Sequence, residues 1–121
     1  MSESISTLLL RNLREVFGQA DASKRKAAIA ELYAEDSVII LPHGRFEGHD
    51  ALDRIAGELR SGHPAFVYTP HSRPQATGNA GRLAWGSGLP GQPPAYTGLD
   101  VIVERNGKIA ELIVFLDSPH V

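Results

Sequence analysis

The stretch that decides the fold is Tyr96–Asp117, which reads YTGLDVIVERNGKIAELIVFLD. Two runs of mainly β-branched and aliphatic residues flank Asn106-Gly107, the pair that most readily adopts the positive φ angles of a tight type I′ turn. The stretch therefore predicts a long antiparallel hairpin. Its first arm carries Asp100 between two aliphatic neighbours, and a carboxylate buried in such a strand is costly unless it is paired or neutral. Asp100 is accordingly the first candidate for chemistry.

The rest of the chain predicts helices first and strands afterwards. Amphipathic spacing and capping residues predict three helices, over about Ser4–Gln19, Ser23–Asp36 and Asp50–Gly62. A short strand, Ser37–Leu41, and a turn at Pro42 separate the second helix from the third. Four strands then follow, over Phe66–Thr77, Arg82–Ser87, Tyr96–Glu104 and Lys108–Asp117, and Pro70 and Pro74 mark the first of them as an edge or bulged strand.

This order of elements predicts an α+β domain in which three N-terminal helices pack on one face of a curved antiparallel sheet. With 121 residues, the chain is expected to form a single domain, 1–121, with a core that needs no covalent staples. Cysteine is absent, which excludes disulfides, thiolate metal ligands and thiol nucleophiles.

Charge and terminal sequence limit the partners. The chain has 12 Lys and Arg against 14 Asp and Glu, with no basic patch interleaved with aromatic residues, so neither nucleic acid nor an anionic membrane is the expected partner. The first residues, Met1–Ser4, include an acidic residue and no long apolar run follows them, which argues against a signal peptide or a membrane span. We therefore expect a cytoplasmic protein.

Several short motifs, taken in order, resemble those of a known superfamily. They are LYAEDSV at 32–38, FEG at 46–48, GLD at 98–100, NGKI at 106–109 and VFLD at 114–117. Over nearly the whole chain they resemble the NTF2-like superfamily, specifically its SnoaL-like branch. The resemblance implies a cone-shaped, cystatin-like barrel with a deep apolar pocket and frequent dimerisation through the outer face of the sheet. Relatives include ketosteroid isomerases, polyketide cyclases, epoxide hydrolases and non-enzymatic modules, so fold alone does not choose the activity.

The ketosteroid isomerases in this superfamily supply one matching position and two that differ. Asp100 falls where the resemblance places a protonated, hydrogen-bond-donating aspartic acid. Leu41 falls where those enzymes carry their general base, and the oxyanion-hole tyrosine would fall near Leu13. The resemblance to the epoxide hydrolases is weaker still, because Trp85-Gly86-Ser87 stands where their Arg-x-Asp pair is expected.

Strand alternation and the resemblance together predict the lining of the pocket. Ile102 shares a face with Asp100, and the pairing arm of the hairpin places Leu112, Val114 and Leu116 opposite. Trp85 and Leu41 are expected on the same wall, with the indole either a platform for a ligand or an ordinary core residue.

Two histidines are candidate partners of Asp100. His43 follows the alternation of Ile39 and Leu41 towards the mouth of the pocket, and His71 lies on the irregular strand near Pro70. Each is either a proton carrier or a solvent-facing loop residue. His43, Glu47 and His49 lack metal-ligand spacing, so neither a metal nor a cofactor is expected.

The function predicted from these observations is binding of a small hydrophobic molecule. Cofactor-independent acid or base chemistry of isomerase, cyclase or hydrolase type would then use Asp100, in company with His43 or His71. The alternative is a non-catalytic binding or dimerisation module in which Asp100 is structural. The outer sheet face, with Leu99, Val101, Val103, Ile113 and Phe115, predicts a homodimer in either case.

Overall fold

The computed structural model describes residues 4–117, and residues 1–3, considered above in the argument against a signal peptide, lie outside them. Three helices come early in the chain: α1 (Ile5–Arg11), which continues as a π-helical segment (Asn12–Phe17), α2 (Ala22–Leu32) and α3 (His49–Gly62). Seven strands complete the fold: β1 (Tyr33–Leu41), β2 (Gly44–Glu47), β3 (Val67–Pro70), β4 (Gln75–Thr77), β5 (Ala80–Gly88), β6 (Tyr96–Arg105) and β7 (Lys108–Leu116).

The ends of α2 and the start of α3 differ from the sequence expectation. The N-cap of α2 is Asp21, whose side chain accepts a hydrogen bond from the backbone N–H of Lys24, rather than Ser23. The helix also ends at Leu32, because Tyr33 already has extended backbone angles and begins β1. α3 starts after Gly48, whose φ of 89° suits glycine, and Asp50 lies in its first turn.

The strands form one mixed sheet in the order β2-β1-β7-β6-β5-β3, with β4 also pairing with β5. The expectation of an antiparallel sheet is wrong at one place, since β1 pairs with β7 in parallel. Local alternation reports which face a side chain occupies but not the direction of a partner distant in sequence. The other pairings are antiparallel, and the sheet is curved and unclosed.

The predicted strand Phe66–Thr77 is in fact two strands, β3 and β4, separated by residues 71–74. Proline has no N–H to donate to a sheet ladder, so Pro70 and Pro74 at the two ends of the gap account for the break. Both short strands pair with β5.

The helices pack against the sheet and share one core with it. Its fully buried side chains come from all layers and include Leu8, Leu9, Leu32, Tyr33, Ile39, Leu52, Leu83, Ile102 and Leu112. Arg25 of α2 is also buried and pairs with Asp53 of α3 at 3.0 Å, which joins the two helices. Within residues 4–117, no helix has the length and apolar character needed to cross a bilayer.

The outer face of the sheet carries the predicted dimer surface. Cross-strand pairing places Leu99 against Phe115 and Val101 against Ile113, and the Phe115 side chain is 54% exposed. We expect a dimer of twice the 13.1 kDa chain mass by light scattering at micromolar concentration, because dimerisation would remove this apolar strip from water. Phe115→Glu should give the monomer mass at the same concentration. A parent protein that scatters as a monomer at every concentration would contradict the prediction.

Candidate functional site

The C-terminal hairpin fixes the position of Asp100 within the sheet. Asn106 and Gly107 have φ angles of 55° and 82°, as a type I′ turn requires, and they join β6 to β7. The resulting register pairs Asp100 with Val114 on β7, and Asp100 with Leu83 on β5. Asp100 is therefore in the middle of the sheet, on the face that the helices cover.

Asp100 is an almost fully buried acid with one strong partner. Its side chain is 3% exposed, and its Oδ1 accepts a hydrogen bond of 2.9 Å from Nε1 of Trp85. Burial raises the pKa of Asp100 to about 7, and the contacts with Trp85 and Asn12, which favour the charged carboxylate, offset part of that rise. The group is thus present in both protonation states near neutral pH.

Asn12 and Tyr33 form the rest of the polar network around Asp100. The Tyr33 hydroxyl donates a 2.5 Å hydrogen bond to Oδ1 of Asn12, and both side chains are inaccessible to solvent. Asn12 Nδ2 makes no hydrogen bond of ordinary geometry among the described residues, but the Asn12 side chain is close enough to Asp100 to lower the pKa of that carboxyl as a hydrogen-bond donor. Burial raises the pKa of Tyr33, and the nearby charge of Asp100 raises it further.

Gly98 leaves the space in which the Trp85 indole lies. Trp85 and Gly98 are cross-strand partners, and a Cβ at Gly98 would be only 2.4 Å from Cζ2 of the indole. Because glycine has no side chain there, the ring lies over the backbone of β6 and presents Nε1 to Asp100. The sequence pair Trp85 and Gly98 therefore builds the hydrogen bond that holds the acid.

A cavity of about 760 Å³ opens above Asp100 and Trp85. This volume is in the range typical of pockets for small molecules. Most of the lining is apolar and comes from α3, β1, the π-helical segment and the inner face of the sheet. The polar groups that reach it belong to His43, Glu58, His63, Tyr68, Tyr96 and Asp100.

The residues proposed from the sequence divide into two groups. Asp100, Trp85, Leu41, Val114, Leu116 and His43 all line the cavity. Ile102 and Leu112 do not, since both are fully buried in the core beneath it. Leu13 and Leu41, which stand where ketosteroid isomerases have their tyrosine and their general base, are both on the cavity wall.

The histidines occupy different places. His43 is an exposed residue at the cavity rim, with its ring 5.8 Å from that of Phe46. Of the two possibilities left open for His71, the structure supports the one in which it does not approach Asp100, because its ring covers the Gly86 backbone. Gly86 follows Trp85 in β5, so His71 is on the opposite face of the sheet from the indole. Among residues 4–117, no three His, Asp or Glu side chains come together as a metal site.

Neither Asn12 nor Tyr33 was identified from the sequence as part of the site. A signal for Asn12 was present, since it is a polar residue on the same helical face as Leu8, Leu9 and Val16, which are apolar and fully buried. Tyr68 and Tyr96, which were not singled out from the sequence, both line the cavity. Burial raises the pKa of Tyr68, and its interaction with the Tyr96 hydroxyl adds to the effect.

Comparisons with known proteins agree with this fold. A candidate isomerase of the SnoaL-like family from Agrobacterium tumefaciens superposes with a TM-score of 0.85 at 22% identity, over 93% of this chain and 96% of that one. IdmH, a candidate polyketide cyclase from Streptomyces antibioticus, gives 0.74 at 19% identity over 95% and 93% of the two chains. A candidate ketosteroid isomerase from Kribbella flavida gives 0.73 at 18% identity over 99% and 82%.

At these identities the structural likeness establishes the fold. No curated protein sequence matches the chain. The family model of the SnoaL-like domain matches residues 10–112, which include the π-helical segment, α2, α3, Trp85, Asp100 and most of the final hairpin. The chain therefore belongs to the SnoaL-like domain family.

Proposed function

We propose that the cavity binds a small, mostly apolar molecule and that Asp100 transfers a proton to or from it. The observation that carries this proposal is the position of the Asp100 carboxyl, which is buried and yet lines an otherwise apolar cavity. Its pKa of about 7 supports the assignment, because a general acid or base works best when its pKa is near the operating pH.

The surroundings of Asp100 favour one kind of step. In its protonated form the carboxyl donates a hydrogen bond to a carbonyl oxygen of the ligand. In its ionised form it takes a proton from the carbon next to such a carbonyl and returns that proton at another position, so the bound molecule is isomerised or primed for ring closure. Trp85 Nε1 fixes Oδ1 during these steps and stabilises the charged form.

Asp100 is the one residue to which we assign proton transfer. Leu13 and Leu41 are on the cavity wall where ketosteroid isomerases would carry a tyrosine and a base, so that two-residue mechanism is not carried over. His43 is at the rim, and the described structure contains no hydrogen bond between it and Asp100. The similar structures named as candidate isomerases and polyketide cyclases support reactions of this class.

A second candidate function is a binding module without catalysis. The observation that favours it is the same hydrogen bond from Trp85, together with the buried pair Tyr33 and Asn12, since such a network also serves to hold a structural carboxylate. The two functions differ in what happens to a bound ketone, which gives the test.

Ketones of steroid, aromatic polyketide and terpenoid type should bind and change the emission of Trp85, the single tryptophan of the chain. For those that bind, we expect the protein to catalyse exchange of deuterium from solvent into the carbon beside the carbonyl. Asp100→Asn should lower the exchange rate by about 100-fold or more while retaining binding. Mass spectrometry of the recovered ketone measures the exchange.

Asp50→Asn is the matched control, because it makes the same chemical change at an exposed position in the first turn of α3. It should exchange at the parent rate. If Asp100→Asn exchanges as fast as the parent, the catalytic assignment is wrong and the binding module remains. If no ketone alters Trp85 emission or thermal stability, the binding function is wrong as well.

A further inference from the structure

A second set of polar side chains lies in the cavity wall, away from Asp100. Tyr68 of β3 pairs with Ser87 of β5, and Ser87 pairs with Tyr96 of β6. Residues directly opposite in antiparallel strands share a face, so the three hydroxyl-bearing side chains form one row across the sheet. Tyr68 and Tyr96 line the cavity, and Ser87 is buried between them in the register. We call the three residues the hydroxyl row.

The hydroxyl row and Asp100 are at two ends of the same aromatic wall. Tyr96 and Asp100 are four residues apart on β6, which corresponds to about 13 Å along an extended strand. The pair Trp85 and Gly98 lies between them in the register. The Trp85 ring centroid is 5.5 Å from that of Tyr68 and 6.1 Å from that of Tyr96, so an apolar, flat surface connects the two polar ends.

Ser87 is the buried member of the hydroxyl row, with 1% of the residue exposed, and its Oγ makes no hydrogen bond of ordinary geometry within residues 4–117. Its polar contact among those residues is with the Tyr68 hydroxyl, whose pKa it lowers slightly against the larger effect of burial. A buried hydroxyl without a well-formed hydrogen bond destabilises the fold, and a polar ligand atom that completes the bond would remove that cost. Burial also raises the pKa of Tyr68, so its hydroxyl keeps its proton and remains a donor at neutral pH.

The charge near the row favours an acceptor atom. Arg60 is close enough to Tyr68 to lower its pKa, against the larger effect of burial, and its guanidinium is held in place by the carbonyl oxygens of Phe66 and Pro64. A fixed cation beside hydroxyl donors attracts the negative end of a polar group. An oxygen that accepts hydrogen bonds is therefore the ligand atom that suits this end of the cavity.

We propose that Tyr68, Ser87 and Tyr96 form a second subsite, which binds an oxygen atom at the far end of a flat aromatic ligand whose reacting group is at Asp100. The inference rests on the proposed function, because it places the reacting end at that acid. It adds that the ligand carries oxygen at both ends of a rigid apolar body. A ligand of this class spans the Trp85 indole and satisfies both ends at once.

Two phenols that differ in one hydroxyl test the subsite by isothermal titration calorimetry. p,p′-Biphenol carries a hydroxyl at each end of a rigid pair of rings, whereas p-phenylphenol carries only one. With the parent protein, we expect p,p′-biphenol to bind about three- to tenfold more tightly, the gain of one or two hydrogen bonds. In the Tyr68→Phe, Tyr96→Phe double variant, this preference should disappear.

Asp100→Asn is the control for the other end, since it should change the affinity for both phenols and retain the preference between them. Tyr96→Phe and Ser87→Ala alone should each reduce the preference in part, which keeps the test valid if the double variant does not fold. Equal affinities in the parent, or a preference unchanged in all three row variants, would overturn the subsite while leaving the proposed function intact. Failure of both phenols to bind the parent would also overturn the subsite, whereas the proposed function stands or falls with the ketones.

Discussion

Asp100→Asn is expected to flatten the dependence of stability on pH. In the folded protein the pKa of Asp100 is about 7, against 3.8 for an unperturbed aspartate. A carboxyl with a raised folded-state pKa supports folding fully below its unfolded pKa and loses that support as pH rises through the folded pKa. The parent should therefore lose stability relative to the variant between about pH 4 and about pH 7, by a total of order 4 kcal/mol, and no more above that range.

Urea unfolding of both proteins at steps across this range measures the difference directly. Asp50→Asn should follow the parent, because that carboxyl is exposed. The opposite trend, in which the parent gains stability over Asp100→Asn as pH rises, would show that Asp100 is a paired carboxylate with a lowered pKa. Asp100 would then be structural, and the binding module without catalysis would be the better description.

Gly98→Ala is expected to destabilise the protein by about 1–3 kcal/mol. The new methyl group would be 2.4 Å from Cζ2 of Trp85 and 2.8 Å from the backbone oxygen of Phe115. The backbone of β7 cannot move without breaking the sheet, so the indole must shift and its hydrogen bond to Asp100 is lost. Urea unfolding and the emission of Trp85 report the two consequences separately.

Gly62→Ala is the matched control, since no atom is within 4 Å of the added Cβ at the end of α3. It should leave stability unchanged or raise it by up to about 1 kcal/mol, because alanine favours a helix over glycine. If Gly98→Ala proves as stable as Gly62→Ala with unaltered emission, the indole is not confined over Gly98 as described.

Local sequence signals were sufficient for much of the fold. Asn106-Gly107 correctly predicted the final hairpin, and the alternation around it correctly placed Ile102 on one face with Asp100. The family resemblance added Val114 on the opposite strand, where it pairs with Asp100. α3 was also correct within a residue at its start. These elements have strong periodicity and unambiguous turn or helix-ending residues, so their local preference agrees with the structure that the tertiary contacts stabilise.

Other elements depend on contacts distant in sequence, which local patterns do not report. The parallel pairing of β1 with β7 joins residues about seventy positions apart, such as Ile39 and Leu112. The end of α2 at Leu32 follows from that pairing, because Tyr33 already belongs to the sheet opposite Ile109. The helical pattern of the sequence continues past Leu32, so it does not predict that the helix ends there.

The sequence predicted the position of Asp100 but not the hydrogen-bond network around it. Asp100 was identified because a lone acid interrupts an apolar strand. Its hydrogen bond with Trp85 requires the β5–β6 register and the space above Gly98, and both are results of assembly. The π-helical segment that begins at Asn12 is equally hidden, since its wider turn leaves no mark in the spacing of the apolar residues.

Carbon-13 NMR of the Asp100 carboxyl carbon measures the pKa on which the proposed proton transfer depends. Protein labelled at its aspartate carboxyl groups gives one resonance for each aspartate. The resonance that is missing from the spectrum of Asp100→Asn is that of Asp100. We expect a midpoint near pH 7, because burial raises the pKa of Asp100 more than the hydrogen bond from Trp85 lowers it. A midpoint at or below the ordinary aspartate value of 3.8 would contradict it.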